Sequence, residues 1–194
     1  MQKSQILEIV AAYLSRHPGE AERLRVFTDY LAANDELFSR KNFNGHITTS
    51  AVVFNEERNR ILLIVHKTLG RVLQPGGHFE DDDSLAASAA REVLEETGVA
   101  VEPHPSASGD HPVDIDAHWM PANPKKQEDG HWHFDFRYLF TSAHAHDFTL
   151  QEEEVSGCGW HAIESQEAQS CFGPFCWPKL GQEQRNRPPL IHQP

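Results

Sequence analysis

Residues 75–99 read PGGHFEDDDSLAASAAREVLEETGV and constrain the fold more tightly than any other stretch. Pro75-Gly76-Gly77 breaks regular structure and predicts a loop. Asp81, Asp82, Asp83 and Ser84 then offer N-cap side chains, with negative charge where a helix dipole favours it. At about 100° per residue, Ala86, Ala90, Val93, Leu94 and Thr97 fall on a narrow arc of mostly small apolar groups suited to close packing on a sheet. Gly98 is a natural helix stop, and the β-branched Val99 resumes an extended chain. Glu92, Glu95 and Glu96, spaced i, i+3 and i+4, stand on one side of this helix. Carboxylates that close repel one another, and such a cluster of hard oxygen donors suits Mg²⁺ or Mn²⁺. The competing reading is a solvated acidic face, against which the glycine loop, the small apolar arc and the glycine stop all argue.

The spacing Gly77, five residues, Asp83, seven residues, then Arg91-Glu92-Val93-Leu94-Glu95-Glu96-Thr97-Gly98-Val99 resembles the Nudix box, G-x5-E-x7-R-E-U-x-E-E-x-G-U. Asp83 stands where the motif has its first Glu, and is one methylene shorter. The resemblance implies a Nudix-type α/β/α sandwich with a mixed sheet over roughly residues 45–170. It also implies metal ligation by Glu92, Glu95 and Glu96 with the Gly76 carbonyl, and a pairing of Asp83 with Arg91. The implied activity is hydrolysis of a diphosphate bond in a nucleoside diphosphate joined to another moiety. A further catalytic carboxylate is expected in the run Glu152-Glu153-Glu154, at Glu153 or its neighbour Glu154. A catalytically silent binding module on the same fold is the alternative, but such modules tend to lose the acidic triad, which is whole here. A diphosphate isomerase would need a cysteine near the glycine loop, whereas the cysteines lie at 158, 171 and 176.

Composition narrows the class. A chain of 194 residues with 39% hydrophobic residues can build one sizeable core, and no apolar run reaches the length of a membrane span. The formal charge of −12 disfavours long nucleic acid and anionic membranes. It still permits a small phosphate substrate when a cation screens the site. Three cysteines, an odd number, fit a reducing cytoplasm.

Along the chain, Ile6, Leu7, Val10, Ala11 and Leu14 form one helical stripe, and Ala21, Leu24, Phe27, Thr28 and Leu31 a second. Residues 1–44 are therefore read as a helical hairpin, structural or part of a homodimer interface. Residues 47–54 and 60–66 predict a strand hairpin, with further strands at 112–119, 131–141 and near Gly157–His161. The tail 171–194 is rich in proline and reads as irregular.

In HWHFDFRY the alternation places His131, His133, Asp135 and Arg137 on one strand face and aromatic residues on the other. Asp114, Asp116 and His118 repeat the device. Such a polar wall is read as substrate-facing, with the Arg137 fork the group best suited to phosphate. His78 and, in the preceding loop, Lys67 and Arg71 are further candidate phosphate contacts. The 13 histidines also raise a lesser, zinc reading through His131-x-His133, His144-x-His146, or Cys158-x2-His161 with Cys171-x4-Cys176.

Overall fold

The core strand is β1, whose sequence GHITTSAVVFN is buried along almost its whole length because it is covered on both faces. The protein is represented by a computed structural model, which describes residues 1–194 apart from 108–109, 125–126, 144–146 and 186–194. Its elements are α1 (Lys3–Arg16), a 3₁₀ turn (Pro18–Glu20), α2 (Arg25–Ala33), β1 (Gly45–Asn55), β2 (Arg60–His66), β3 (Arg71–Leu73), β4 (Gly76–His78), α3 (Leu85–Thr97), β5 (Glu102–Pro103), β6 (Asp114–Met120), β7 (His131–Ser142), β8 (Val155–Ala162) and α4 (Gln166–Arg185). The sheet is mixed: β1 runs parallel to β7 and antiparallel to β2 and β4, β6 and β5 pair with β7, and β8 and β3 with β2.

Register sorts the side chains into two cores. Ile47, Ala51 and Val53 lie level with Phe134, Tyr138 and Phe140 on one face. That face receives α1, α2 and α3, through Ile6, Val10, Phe27, Leu31, Leu85, Ala89 and Val93. Phe134 stacks on Phe27 at 4.4 Å, so the N-terminal helices are built into the main core. On the other face Val52, Phe54, Leu63 and Leu139 pack under Ala168, Phe172, Cys176 and Leu180 of α4. This is the expected α/β/α arrangement with a mixed sheet and N-terminal helices.

Two local expectations fail. Pro75-Gly76-Gly77 is only partly loop, since Gly76–His78 pairs with Thr48–Ser50 as a short strand. Glycine is required there: a Cβ at Gly76 would stand 2.6 Å from the Thr49 carbonyl oxygen. The tail is helical through Arg185, despite Pro174 and Pro178. Each proline removes one helical hydrogen bond, but both sit on the exposed side, while residues 168, 172, 176 and 180 bury a continuous stripe. No described helix is long and apolar enough to cross a membrane.

Candidate active site

Helix α3 is held at both ends as its sequence dictates. Ser84 caps it, accepting from the Ala87 N–H at 3.1 Å, and Gly98 ends it at φ 72° with its N–H on the Leu94 carbonyl. The buried face is rotated from the expected arc: Leu85, Ala89, Val93 and Thr97 are in the core, whereas Leu94 is 52% exposed. That rotation carries Glu96 inward.

The three glutamates therefore run from solvent to core rather than forming a uniform ridge. Glu95 is half exposed, Glu92 is mostly covered and Glu96 is 1% exposed. The Gly76 N–H donates to Glu96 Oε2 at 2.9 Å, and a Cβ on Gly77 would meet Glu92 Oε1 at 2.5 Å. Burial raises the Glu92 pKa to about 7; the adjacent Arg91 opposes this, while Glu95 and Glu154 add to it. Burial likewise lifts Glu96 to about 8; the Gly76 N–H opposes this, and repulsion from Glu92, Glu154 and Glu95 adds to it. The cluster carries more negative charge than the protein compensates, which is the electrostatic condition for a divalent cation.

Arg91 organises the loop before the helix, but not through the expected partner. Its Nε donates to Asp82 Oδ1 at 3.1 Å and its Nη2 to Asp82 Oδ2 at 3.2 Å, while Asp83 points to solvent. Nη2 also donates to the His78 carbonyl at 3.0 Å, and Nη1 to Glu95 at 2.8 Å. One guanidinium thus ties the glycine strand, the acidic loop and the helix together. Burial disfavours the Asp82 carboxylate, but its bonds to Arg91 prevail and hold its pKa below the usual value.

Arg91, Glu92 and Glu95 line a cleft of about 450 Å³. Gly77 and His78 of β4 share its lining with Phe38, Ser39, Arg40 and Lys41 of the segment between α2 and β1. Gln151 and Glu154 close it, so Glu154, and not Glu153, is the carboxylate beside the triad. Sequence reasoning missed the basic wall entirely; the paired cations Arg40-Lys41 just before β1, in so acidic a chain, were the available signal. Arg71 lies on β3, exposed and opposite His66, and does not line the cleft. A second depression of about 510 Å³ between Arg58, Glu102 and Thr141 gathers no comparable set.

The polar wall of β7 does form, on the face opposite α3, but most of it is turned to internal use. Arg137 Nη1 bonds Asp114 at 2.7 Å, and its Nε and Nη2 face Asp135 and Asp116 at 3.2 and 3.3 Å. Asp114 also receives Lys179 of α4 at 2.6 Å and Tyr13 of α1 at 3.1 Å. Asp135 accepts from Ser50 at 2.7 Å and from Thr48 at 3.2 Å. Arg137 and Asp135 are thus tied into the structure, with the Arg137 fork expected to meet phosphate facing Asp114, Asp116 and Asp135.

At the other end of the same face, His131 and His133 meet His46 of β1, which lies opposite His133, and His78 of β4. Burial lowers the His46 pKa to about 4 and, with the neighbouring imidazoles, that of His133 to about 2. Of these, only His78 also lines the cleft. The mixed cysteine–histidine zinc reading fails, because Cys158 packs with the α3-side core and Cys171 and Cys176 with the α4-side core. His144 and His146 lie outside the described residues.

Comparison with known proteins agrees with this geometry. Residues 45–170 match the profile of the NUDIX domain. A probable DHNTP pyrophosphohydrolase of Lactococcus lactis subsp. cremoris is 30% identical over 169 residues, 87% of this chain and 91% of that protein. The phosphatase NudJ of Escherichia coli is 42% identical over 64 residues, 31% of this chain but only 40% of NudJ. A NUDIX-family hydrolase from Clostridium perfringens superposes with a TM-score of 0.50 at 20% identity, covering 72% of this chain and 94% of its own. A C. elegans Ap4A hydrolase does so at 0.50 and 14%, covering 72% and 95%. At these identities the structural likeness is one of fold. The profile match, the long Lactococcus alignment and the loop–helix geometry agree: the chain belongs to the Nudix (MutT-like) hydrolase family.

Proposed function

We propose that this chain is a divalent-metal-dependent pyrophosphohydrolase that cleaves a phosphoanhydride bond in a nucleoside diphosphate linked to another group. The observation that carries the reading is the under-compensated cluster of Glu92, Glu95 and Glu154, which lines one cleft together with Arg40 and Lys41 and has the buried Glu96 beside it. Glu92, Glu95 and Glu96 are the ligands for Mg²⁺ (or Mn²⁺), which, when bound, supplies charge neutralisation and a more acidic attacking water. Gly76 contributes by orienting Glu96 through its N–H. Arg91 fixes the spacing of Glu95 from the loop, and Glu154 stands where it can accept the proton of the attacking water.

Arg40 and Lys41 hold the phosphate oxygens of the substrate. Phe38, whose ring lies 4.7 Å from that of Phe79, gives the base or the second moiety an apolar surface. An acidic protein accepts an anionic substrate here because the basic wall and the metal together offset its charge.

A panel of ADP-ribose, dinucleoside polyphosphates, nucleotide sugars and nucleoside triphosphates tests the reading, with DHNTP added because of the Lactococcus relative's name. Turnover is followed by phosphatase-coupled phosphate release in Mg²⁺ or Mn²⁺. The expected result is turnover of at least one member, with KM raised in Arg40→Ala/Lys41→Ala. Metal-independent turnover would refute the assignment, as would silence across the whole panel.

A further inference from the structure

We propose that His46, His131 and His133 form a separate site for a borderline transition-metal dication, Zn²⁺ above all. Their ligating atoms all lie within 4.8 Å of one another. His131 Nε2 and His133 Nε2 are 3.1 Å apart. Two nitrogens at ~2.0 Å from a tetrahedral ion stand ~3.3 Å apart, so the pair is already near its bound spacing.

Hydrogen bonding fixes which nitrogens face the site. His131 Nδ1 contacts the Asp129 carbonyl at 2.7 Å. A carbonyl only accepts, so Nδ1 carries the proton and the neutral ring presents its Nε2 lone pair. His46 Nδ1 stands 3.4 Å from the Asn42 carbonyl, which selects the same tautomer. A backbone carbonyl behind the distal ring nitrogen is the usual support of a metal-bound histidine.

Without a metal the cluster cannot satisfy itself. His133 Nε2–H can donate to His131, but His46 Nε2 is then left buried with no hydrogen-bond partner. His46 is 1% exposed and His131 5% exposed, so water does not make up the deficit cheaply. An ion bound by the three lone pairs would satisfy all of them; His78 packs beside the cluster, its ring 5.0 Å from that of His46.

Imidazole donors suit Zn²⁺, whereas Mg²⁺ is held by oxygen. The site is therefore chemically distinct from the glutamate cluster, and its test does not depend on the hydrolase reading. Its consequence is local order. His46 reaches Asn42, and the segment just before it carries Arg40 and Lys41 into the cleft.

The experiment strips the 194-residue chain with a chelator, reloads it with Zn²⁺, dialyses it, and measures retained zinc by mass spectrometry. Co²⁺ loading is followed by visible absorption. The expected result is one zinc per chain and tetrahedral cobalt bands, both kept in Glu95→Gln. Zinc affinity falls at least ~100-fold in His131→Asn and His133→Asn. The proposal is overturned if wild-type protein retains no zinc, if Glu95→Gln abolishes retention, or if folded His131→Asn and His133→Asn retain it fully. Should both histidine variants unfold, the wild-type cobalt spectrum decides, and a purely octahedral oxygen-type spectrum overturns the site.

Discussion

Gly77→Ala separates chemistry from stability in a way that follows from one contact. The new methyl carbon would lie 2.5 Å from Glu92 Oε1, with no backbone atom among its three nearest neighbours. To reach an ordinary 3.4 Å contact, the Glu92 carboxylate must retreat by about 0.9 Å. The end of a glutamate side chain can rotate away, so the fold loses little, within about 1 kcal/mol. Catalysis is less tolerant, since a misplacement of about 1 Å costs on the order of 10²-fold in rate, or about 2.7 kcal/mol. Gly76→Ala is the control. There the methyl meets the Thr49 carbonyl and the Ser50 backbone at 2.6–2.8 Å, so the strand itself must shift, at a cost of at least 1–3 kcal/mol. The assay pairs steady-state kinetics with thermal melts for both variants. Gly77→Ala should keep its melting temperature and lose about 10²-fold in kcat, whereas Gly76→Ala should melt earlier. A Gly77→Ala protein with full kcat would refute the claim that Glu92 must stand against the glycine strand.

Three further expectations follow from the same structure. Asp82→Asn should cost about 1–3 kcal/mol by weakening the Arg91 clamp, and Asp83→Asn less than about 0.5 kcal/mol; urea unfolding of both variants checks this, and equal effects would contradict it. Arg137→Met should destabilise by about 3–5 kcal/mol, because it leaves the buried Asp135 carboxylate without its counter-charge while Asp114 keeps Lys179, and calorimetry distinguishes this from a pure rise in KM. The third concerns pH. Glu92 and Glu96 have folded pKa values of about 7 and 8, above their ordinary 4.5, so their contribution is fully present below pH 4.5 and is lost as pH rises through the folded values. His46 and His133 act oppositely, gaining stability with pH up to about their unfolded pKa of 6.5. Metal-free protein in EDTA should therefore lose melting temperature between about pH 6.5 and 8.5, and Mg²⁺ should reduce that loss. A melting temperature that rises over this range in EDTA would contradict the carboxylate cluster.

What was legible in the sequence was local. The spacing of Glu92, Glu95 and Glu96, the Ser84 cap and the Gly98 stop all act within one helix, and the alternation in β7 correctly sorts its two faces. What packs on those faces was not legible. Arg137 reads as a phosphate fork until Tyr13, Asp114 and Lys179, from three distant segments, arrive beside it. Asp82 takes the place of Asp83 because reach from the loop, and not motif position, decides which carboxylate meets Arg91. The prolines of α4 concealed a stripe at 168, 172, 176 and 180 that needs the sheet to explain it. His46 escaped notice because a lone histidine opening a strand has no spacing signal; parallel pairing with β7 alone brings it to His133.

The central claim is that a metal held by the α3 glutamates drives phosphoanhydride cleavage. Its most direct test is the Mg²⁺ titration of turnover on the best panel substrate, for wild type and Glu96→Gln side by side. The account predicts no wild-type turnover in EDTA, saturable recovery with Mg²⁺, and at least about 10²-fold lower kcat in a folded Glu96→Gln protein. A Glu96→Gln variant with the wild-type rate and an unchanged Mg²⁺ dependence would contradict it.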